Sequence, residues 1–224
     1  MAQTPLDFVR DGARRHAQLV ADIVSGLREL FAGQPQHVAG IRLHGIKDLQ
    51  PLLTPDGRIG ALAASMVGPQ SRAVRALLFD KTAETNWSLG WHQDRTICVR
   101  KRVDMPGYGP WTVKGGMQHV APPFDLLSRM VTLRVHLDDV PEDNAPLMIV
   151  PGSHRIGRIA EAEIDAVVSQ LGREICLADA GDIWAYATPI LHGSKAATRP
   201  ARRRVLQIDF SGDDLPGELD WLGV

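Results

Sequence analysis

The sequence predicts a mainly β fold, an antiparallel barrel or jelly roll with flanking helices. Three observations lead to this prediction. Residues 1–70 carry a helical pattern, residues 71–224 carry seven short strand-like segments, and turn residues separate most of those segments. The alternation of helix and strand is too irregular for a doubly wound parallel sheet. We therefore expect a single domain over residues 1–224, with a mostly helical N-terminal layer before the β core.

Two helices are expected in the N-terminal layer. Apolar residues recur at helical spacing over 20–31, and a glycine and a proline follow within four residues. A second helix is expected over 54–66, because Thr54 is a suitable cap and Pro55 suits the first helical position. The exposed face of this layer is a candidate homodimer surface.

The β core is expected to contain seven strands and one helix. Val, Ile and aromatic residues are frequent in the strand-like segments, and Pro, Gly, Asp and Asn are frequent between them. The segments are 74–79, 91–99, 131–140, 147–150, 174–177, 183–188 and 203–210, with the helix at 160–171.

Composition narrows the class of protein. Hydrophobic residues make up 44% and charged residues 23% of 224 residues, as in ordinary globular proteins. The net charge of -1 gives no electrostatic case for nucleic acid or an anionic membrane as partner. Two cysteines cannot form a disulfide framework, and no run approaches the roughly 20 apolar residues of a membrane helix. We expect a soluble, cytoplasmic protein with a small-molecule partner.

Two His-x-Asp pairs are candidate metal ligands. They are His92 with Asp94 and His136 with Asp138, and residues i and i+2 of a strand point to the same face. Two His and one carboxylate form a facial triad that leaves positions open for oxygen and a chelating co-substrate. Two tryptophans and a glycine before His92 could wall a pocket. The strict alternation over 132–138 could instead be an ordinary solvated strand face.

The third ligand and an anion contact can be sought near the C-terminus. His192 follows an apolar strand, and Arg203 comes 203 − 192 = 11 residues later, at the start of another strand. A buried guanidinium suits a bidentate grip on a carboxylate. The run Arg202–Arg204 could equally be a solvated strand end or a patch for anionic partners.

Taken together, these motifs resemble the phytanoyl-CoA dioxygenase family. The matching segments are DKTAETNW (80–87), WHQD (91–94), PGSH (151–154) and HGS (192–194), followed by Arg203. They occur in the family's order and span roughly residues 75 to 212.

The resemblance implies a double-stranded β-helix, cupin-like, that binds Fe(II) and 2-oxoglutarate and uses O2. By position, His92, Asp94 and His192 match the iron ligands, Arg203 matches the arginine that holds the distal carboxylate of 2-oxoglutarate, and Ser194 matches a nearby hydroxyl. Asp94 and His192 are 192 − 94 = 98 residues apart, which leaves room for the strands between ligands in this fold. Starting from Asp138 leaves only 192 − 138 = 54, so the first pair is favoured.

Two positions bear on the reaction and on local structure. Related halogenases have a small residue in place of the carboxylate ligand, so Asp94 points to hydroxylation. The family usually has glycine after the asparagine at 144, where this chain has Ala145. The expected activity is hydroxylation of an unactivated C–H bond of a small or medium metabolite, with release of succinate and CO2. The alternatives are a non-redox, cupin-like isomerase or hydrolase and a binding protein with a vestigial site.

The remaining candidates are less directly tied to a motif. Lys81 either contacts 2-oxoglutarate or caps a strand, and His154 is expected to fix a loop by hydrogen bonding. His119 lies in a Gly-rich segment, 114–119, which is either a mobile lid or a surface loop. Candidate substrate residues, with core packing as the alternative for the tryptophans, are Asn86, Trp91, Gln93, Trp111, Arg134 and His136.

Overall fold

The computed structural model describes residues 5–35, 38 and 40–224. The expected N-terminal layer begins at residues 1–4, which lie outside the described residues. The helices are α1 (Phe8–Asp11), α2 (Val24–Leu30), α3 (Gln50–Leu53), α4 (Gly60–Val67), α5 (Phe124–Ser128) and α6 (Ile164–Leu171), with 3-10 turns at Ala21–Ile23, Ser153–Arg155 and Glu161–Glu163. The strands are β1 (Ala13–His16), β2 (Gly40–Leu43), β3 (Arg72–Lys81), β4 (Leu89–His92), β5 (Ile97–Val99), β6 (Trp111–Lys114), β7 (Met117–Val120), β8 (Val131–His136), β9 (Leu147–Ile149), β10 (Glu174–Cys176), β11 (Ile183–Ala187), β12 (His192–Ser194) and β13 (Arg203–Ser211).

These strands form three antiparallel sheets. The major sheet has the order β1-β11-β8-β13-β3-β2, the minor sheet β10-β9-β12-β4, and a small third sheet β5-β7-β6. A cavity between the major and minor sheets is lined by residues of β3, β8 and β13 on one side and of β4, β9 and β12 on the other. The predicted double-stranded β-helix is confirmed.

Alternation along the major sheet separates an apolar outer face from a polar inner face. In β8, Val131, Leu133 and Val135 belong to the main apolar core, together with Leu27 and Ile59 of the helical layer. Thr132, Arg134 and His136 alternate with them and point to the opposite face. The polar face of β8 is buried inside the fold and is not the solvated surface considered from the sequence.

The N-terminal layer differs from a purely helical one. It also supplies β1 and β2, the two edge strands of the major sheet. The first predicted helix is present as a 3-10 turn followed by α2. The second begins at Gly60, not at residue 54, because Thr54 is the C-cap of the short helix α3 and has extended backbone angles.

The β core also differs in detail. The segment predicted as one strand over 91–99 is two strands, β4 and β5, separated by an irregular stretch at 93–96. Residues 114–119 belong to the β6–β7 hairpin, whose turn is Gly115-Gly116, and both glycines have positive φ. His119 is fully buried on β7, so the expectation of a surface loop residue is wrong. None of the helices in the described part of the chain is long and apolar enough to cross a membrane.

Candidate metal centre

Three side chains predicted as ligands converge at one end of the minor sheet. His92 ends β4 and His192 begins β12, and the two residues are direct partners in the β4–β12 register. Asp94 lies in the irregular stretch after β4. One ligand atom of each residue lies within 4.8 Å of the others, and the two imidazole rings are 4.2 Å apart between centroids. Two imidazoles and one carboxylate are a donor set suited to a divalent transition metal.

Both imidazoles are oriented by backbone carbonyls. The Nδ1 atom of His92 is 2.8 Å from the carbonyl oxygen of Gly90, and Nδ1 of His192 is 2.9 Å from that of Ile190. Since a carbonyl only accepts, Nδ1 is the protonated nitrogen in each ring, and Nε2 retains its lone pair. Burial, and then the neighbouring His92, lowers the pKa of His192 to about 4, so this ring is neutral at physiological pH.

The carboxylate of Asp94 is positioned by Arg75. Arg75 donates from Nη2 to Oδ2 of Asp94 at 2.9 Å and from Nε to Oδ2 of Asp209 at 2.5 Å. Asp209 also accepts from the hydroxyl of Thr132 at 2.9 Å. Burial alone would raise the pKa of Asp94, but the charge of Arg75 and then the two imidazoles outweigh it and lower that pKa to about 2. Asp94 is therefore an anion with one oxygen fixed by the guanidinium.

The second His-x-Asp pair does not join this cluster. Asp138 accepts two hydrogen bonds from the guanidinium of Arg204, at 2.7 and 2.8 Å. His136 is completely buried, and neither ring nitrogen has a hydrogen-bond partner in the described structure. His136 does not line the cavity between the sheets, and its role as a substrate residue stays a prediction.

The candidate metal centre opens into a cavity of about 460 Å³. This volume lies within the usual range for small-molecule sites. Asp94 is its one carboxylate among the described residues that line it, whereas seven basic side chains do so. They are Arg42, Arg75, Lys81, Arg95, Lys114, Arg134 and Arg203.

Three of these basic groups form a buried cluster at one end of the cavity. Arg203 and Lys81 are direct partners in the β13–β3 register. Arg203 donates to the carbonyl of Ala145 at 2.6 Å, and its Nε has no partner. Lys81 donates to the carbonyl of Trp87 at 2.7 Å and lies 3.4 Å from the hydroxyl of Ser194. Arg134 donates to Gln207 at 2.7 Å.

Among the described residues, no carboxylate pairs with this cluster. The pKa values of Lys81 and Arg203 are lowered accordingly. Burial first, and then the charges of Arg203 and Arg134, lower the pKa of Lys81 to about 7. Burial and the charge of Arg134 lower the pKa of Arg203 to about 9. Burying like charges together is unfavourable unless an anion compensates them. The cluster can therefore hold a carboxylate of a small molecule.

Two of the other predicted substrate residues lie at the cavity, but in different roles. Arg134 lines the cavity, and its Cζ atom lies 5.2 Å from the centroid of the Phe79 ring. Gln93 lines the cavity with its amide already engaged. It donates to the carbonyls of Gly157 and Pro189 and accepts from the N–H of Ile159. Gln93 thus fastens the stretch that carries Asp94.

The remaining three predicted substrate residues lie elsewhere. Asn86 exchanges two hydrogen bonds with the backbone of Ala197. Trp91 packs against a small apolar cluster that includes Ile164, and Trp111 packs against another beside Val120 and α5. None of the three lines the cavity of the candidate metal centre, and their substrate role stays a prediction. The contacts of both tryptophans fit the alternative of core packing.

Strand register reveals cavity residues that were not singled out from the sequence. Arg75, Leu77 and Phe79 alternate with the apolar core positions of β3 and share the face of Lys81. On β13, Gln207 lines the cavity and shares the face of Arg203 in the same way, and Asp209, two residues further along, pairs with Arg75. Counting every second residue along the strand from Lys81 and from Arg203 would have identified these residues in the sequence.

Two loop residues complete the site. Ala145 has φ of 52°, so it adopts the left-handed conformation for which glycine is usual. Its carbonyl oxygen accepts a hydrogen bond from Arg203. Ser153 connects the turn after β9 with the approach to β12, because it donates to Val150 and accepts from the N–H of Leu191. The neighbouring His154 packs on Gly12, and its role in fixing the loop stays a prediction.

Comparisons with known proteins agree with this architecture. The family model described as phytanoyl-CoA dioxygenase (PhyH) matches residues 52–205. No curated protein matches the sequence at a significant level.

Several solved structures share the fold at low sequence identity. The structure of EctD from S. alaskensis in its apo form has a TM-score of 0.70 at 19% identity, over 100% of this chain and 83% of that one. HygX from Streptomyces hygroscopicus, with nickel and 2-oxoglutarate bound, has a TM-score of 0.62 at 15% identity, over 91% and 84%. The epimerase SnoN, in complex with Fe3+, alpha ketoglutarate and nogalamycin RO, has a TM-score of 0.60 at 17% identity, over 94% and 88%.

Proposed function

Because the chain belongs to the phytanoyl-CoA dioxygenase family, we propose that it is an Fe(II)- and 2-oxoglutarate-dependent dioxygenase. Its reaction is hydroxylation of an unactivated C–H bond in a small or medium organic metabolite. Succinate and CO2 are the co-products. The observation that carries the proposal is the convergence of His92, Asp94 and His192 at the wall of a cavity that also contains a buried cationic cluster.

The residues present fit the two groups that this activity requires. Both histidines keep Nε2 free because Nδ1 donates to a carbonyl, and Asp94 keeps one oxygen free because Arg75 occupies the other. The buried and unpartnered Nε of Arg203 lacks an acceptor, which a carboxylate of 2-oxoglutarate would provide. His92, Asp94 and His192 would hold iron, and Arg203 with Lys81 and Ser194 would hold the distal carboxylate.

Iron and 2-oxoglutarate together supply the activation of dioxygen, and the protein supplies geometry and exclusion of water. Gln93 fixes the backbone that carries Asp94 through three backbone hydrogen bonds. Arg203 is fixed by the carbonyl of Ala145, so its guanidinium is oriented before the co-substrate arrives.

Apolar side chains limit the access of water to the cationic cluster. The ring of Trp87 lies 4.1 Å from the Lys81 ammonium, and Phe79 covers Arg134. A low local dielectric strengthens the attraction between these cations and a bound carboxylate. The cavity of about 460 Å³ is shared with 2-oxoglutarate, which favours a substrate of small or medium size.

Hydroxylation is favoured over halogenation because Asp94 supplies a carboxylate at the third ligand position, where a halogenase needs an open site for halide. One of the similar solved structures is of an epimerase, so the product has to be identified directly. A hydroxylated product gains one oxygen atom, whereas an epimerised product keeps the mass of the substrate.

To test the proposal, candidate metabolites are incubated with purified protein, Fe(II), 2-oxoglutarate and O2. Succinate release and the mass of the product are then measured. We expect succinate formation that depends on all three additions and a product heavier by one oxygen. The Asp94→Ala variant should be inactive. Asp138→Asn is the matched control, because Asp138 is the carboxylate of the other His-x-Asp pair and binds Arg204.

Three outcomes would contradict the proposal. A product of unchanged mass with succinate release would indicate epimerisation. Turnover without 2-oxoglutarate and O2 would indicate a non-redox metal enzyme. Undiminished hydroxylation in Asp94→Ala would refute the ligand assignment.

A further inference from the structure

We propose that the substrate carries an anionic group, a carboxylate or a phosphate, and that Arg42 and Lys114 bind it. This inference rests on the proposed function and specifies its substrate class. Both residues line the cavity that contains the candidate metal centre. Lys114 begins the Gly-rich segment 114–119, Arg42 belongs to no motif of the sequence, and neither is part of the cationic cluster around Arg203.

Strand register places Arg42 well away from the cationic cluster. Arg42 of β2 is the direct partner of Leu77 of β3, and paired residues of neighbouring strands point to the same face. Leu77 lines the cavity four residues before Lys81, which corresponds to about 13 Å along the strand. A co-substrate carboxylate held by Arg203 and Lys81 therefore leaves Arg42 uncompensated.

Arg42 and Lys114 have no acceptor of their own. In the described part of the chain, neither makes a hydrogen bond or an ion pair, and Nε of Arg42 is buried without a partner. Arg75, which also lines the cavity, differs because Asp94 and Asp209 both pair with it. Burial and the charge of Arg75 lower the pKa of Arg42, as expected of a cation that lacks a counter-ion.

The β6–β7 hairpin brings the two cations to the same part of the wall. Lys114 is the last residue of β6, directly before the Gly115-Gly116 turn. A side chain at Gly115 would begin 3.5 Å from Cδ of Arg42, so the turn lies against the stem of this arginine. The hairpin therefore limits the positions of the Arg42 guanidinium before any ligand binds, which reduces the entropy lost on binding.

The charges of the co-substrate do not meet this need. 2-Oxoglutarate has two carboxylates, one for the metal and one for the Arg203 end. Arg42 and Lys114 remain as two positive charges facing the space where substrate must lie. A planar guanidinium binds carboxylate or phosphate oxygens in a bidentate manner, and an ammonium adds a point charge. An oxyanion on the substrate is the chemistry that satisfies both.

The test measures anion binding to the full chain, loaded anaerobically with Fe(II) and saturating 2-oxoglutarate, by calorimetric titration. The probes are benzoate, phenyl phosphate and the neutral benzamide. We expect benzoate or phenyl phosphate to bind at least about tenfold more tightly than benzamide, as loss of a charge-assisted hydrogen bond predicts. A preference between the two anions identifies the group.

Variants separate this site from the co-substrate site. Arg42→Gln and Lys114→Gln should each weaken binding of the preferred anion about tenfold, and Arg42→Lys should weaken it less. Arg14→Gln and Lys47→Gln are matched controls, since Arg14 and Lys47 are exposed and lie outside the cavity lining. All five variants should keep the visible absorption band of the Fe(II)–2-oxoglutarate complex, which also shows that they are folded.

The outcomes for the two proposals are distinct. Anion affinity that is unchanged in Arg42→Gln and Lys114→Gln, or benzamide binding as tight as benzoate, would overturn the assignment of an anionic substrate. Absence of the Fe(II)–2-oxoglutarate band in the unmodified protein would instead overturn the proposed function, whatever the anion titration gives.

Discussion

Replacing Arg75 with glutamine should destabilise the protein by about 3–5 kcal/mol at neutral pH, because a buried ion pair loses one partner. The Arg75 side chain is 12% exposed and bridges Asp94 and Asp209, and the side chain of Asp209 is only 2% exposed. Glutamine cannot replace the two charged donors. Asp209 would keep the hydroxyl of Thr132 as its side-chain donor, and its charge would remain buried.

The same substitution should weaken metal binding. Arg75 fixes one oxygen of Asp94, and loss of such a supporting contact typically costs about 10–100-fold in metal affinity. Urea unfolding measures the stability, and anaerobic Fe(II) titration measures the affinity. Arg129→Gln is the matched control, because Arg129 pairs with Asp213 at 2.8 Å on the surface, where an ion pair contributes only about 0–1 kcal/mol.

The stability defect should depend on pH in a defined direction. Burial, and then the charge of Asp94, keeps the pKa of Asp209 raised in the folded protein. A raised pKa means that the folded state binds this proton more tightly than the unfolded state, so stability from this group is present at low pH and is lost as pH rises through the folded pKa. The difference between Arg75→Gln and the unmodified protein should therefore shrink as the pH is lowered.

A double variant separates stability from metal binding. Arg75→Met with Asp209→Leu replaces the buried ion pair by apolar side chains, which is often neutral for stability. It should recover most of the lost stability but not the metal affinity, since Asp94 still lacks its guanidinium. A stability of Arg75→Gln within about 1 kcal/mol of the unmodified protein would show that the ion pair does not stabilise the fold. Unchanged metal affinity would show that Arg75 does not support Asp94 as a ligand.

Three further predictions concern residues around the site. Gln93→Leu should lower the free energy of unfolding by about 3 kcal/mol, because three hydrogen bonds to the backbone are lost. It should also weaken Fe(II) binding. Urea unfolding measures the first effect and metal titration the second. Ala145→Gly should raise the free energy of unfolding by about 0.5–1 kcal/mol in urea, because glycine relieves the left-handed strain at φ of 52°. The greater conformational entropy of glycine in the unfolded chain offsets only part of this gain. Burial lowers the pKa of His136 well below its usual value and that of His192 to about 4. Metal-free protein should therefore lose stability as pH falls below about 6.5, by up to ~1.4 kcal/mol per pH unit for each histidine, and urea midpoints of His136→Leu should show a smaller pH dependence.

Contrary results for these three are equally specific. Unchanged Fe(II) affinity in Gln93→Leu would show that this amide does not support the ligand segment. A less stable Ala145→Gly would show that the turn carries no strain. A pH dependence unaltered by His136→Leu would exclude this imidazole as a source of acid sensitivity.

The convergence of the three candidate ligands was predictable because it depends on short-range geometry and on chain order. His92 and Asp94 are two residues apart, and the choice of His192 followed from the resemblance to a family. The pairing of Arg75 with Asp209 was not predictable in this way. It depends on the register between β3 and β13, two strands 134 residues apart at this contact, and local sequence does not fix such a register.

Three candidate substrate residues lie outside the lining of the cavity for reasons that the sequence does not reveal. Trp91 and Trp111 are large and apolar, and an aromatic side chain packs into any apolar cluster within reach. Their sequence environment does not distinguish a cavity wall from the clusters in which they lie. In the case of Asn86, an amide satisfies the backbone of Ala197 as readily as it binds a ligand.

The fold class was predictable because many short segments carry a strand-like pattern of apolar residues. The two edge strands of the major sheet carry little of this pattern. β1 and β2 have four residues each, and β1 reads Ala-Arg-Arg-His. Short, charged edge strands avoid pairing with other molecules, and the same features hide them from a search for apolar alternation. The helical pattern around them therefore dominated the prediction for residues 1–70.

The proposed function requires that His92, Asp94 and His192 hold iron next to a 2-oxoglutarate site at Arg203. Anaerobic titration of the Fe(II)-loaded protein with 2-oxoglutarate, followed by visible absorbance, tests it most directly. We expect a saturable charge-transfer band that is lost in Asp94→Ala, requires more 2-oxoglutarate in Arg203→Ala, and is unchanged in Asp138→Asn. Iron binding without a band, or a band that persists in Asp94→Ala, would contradict it.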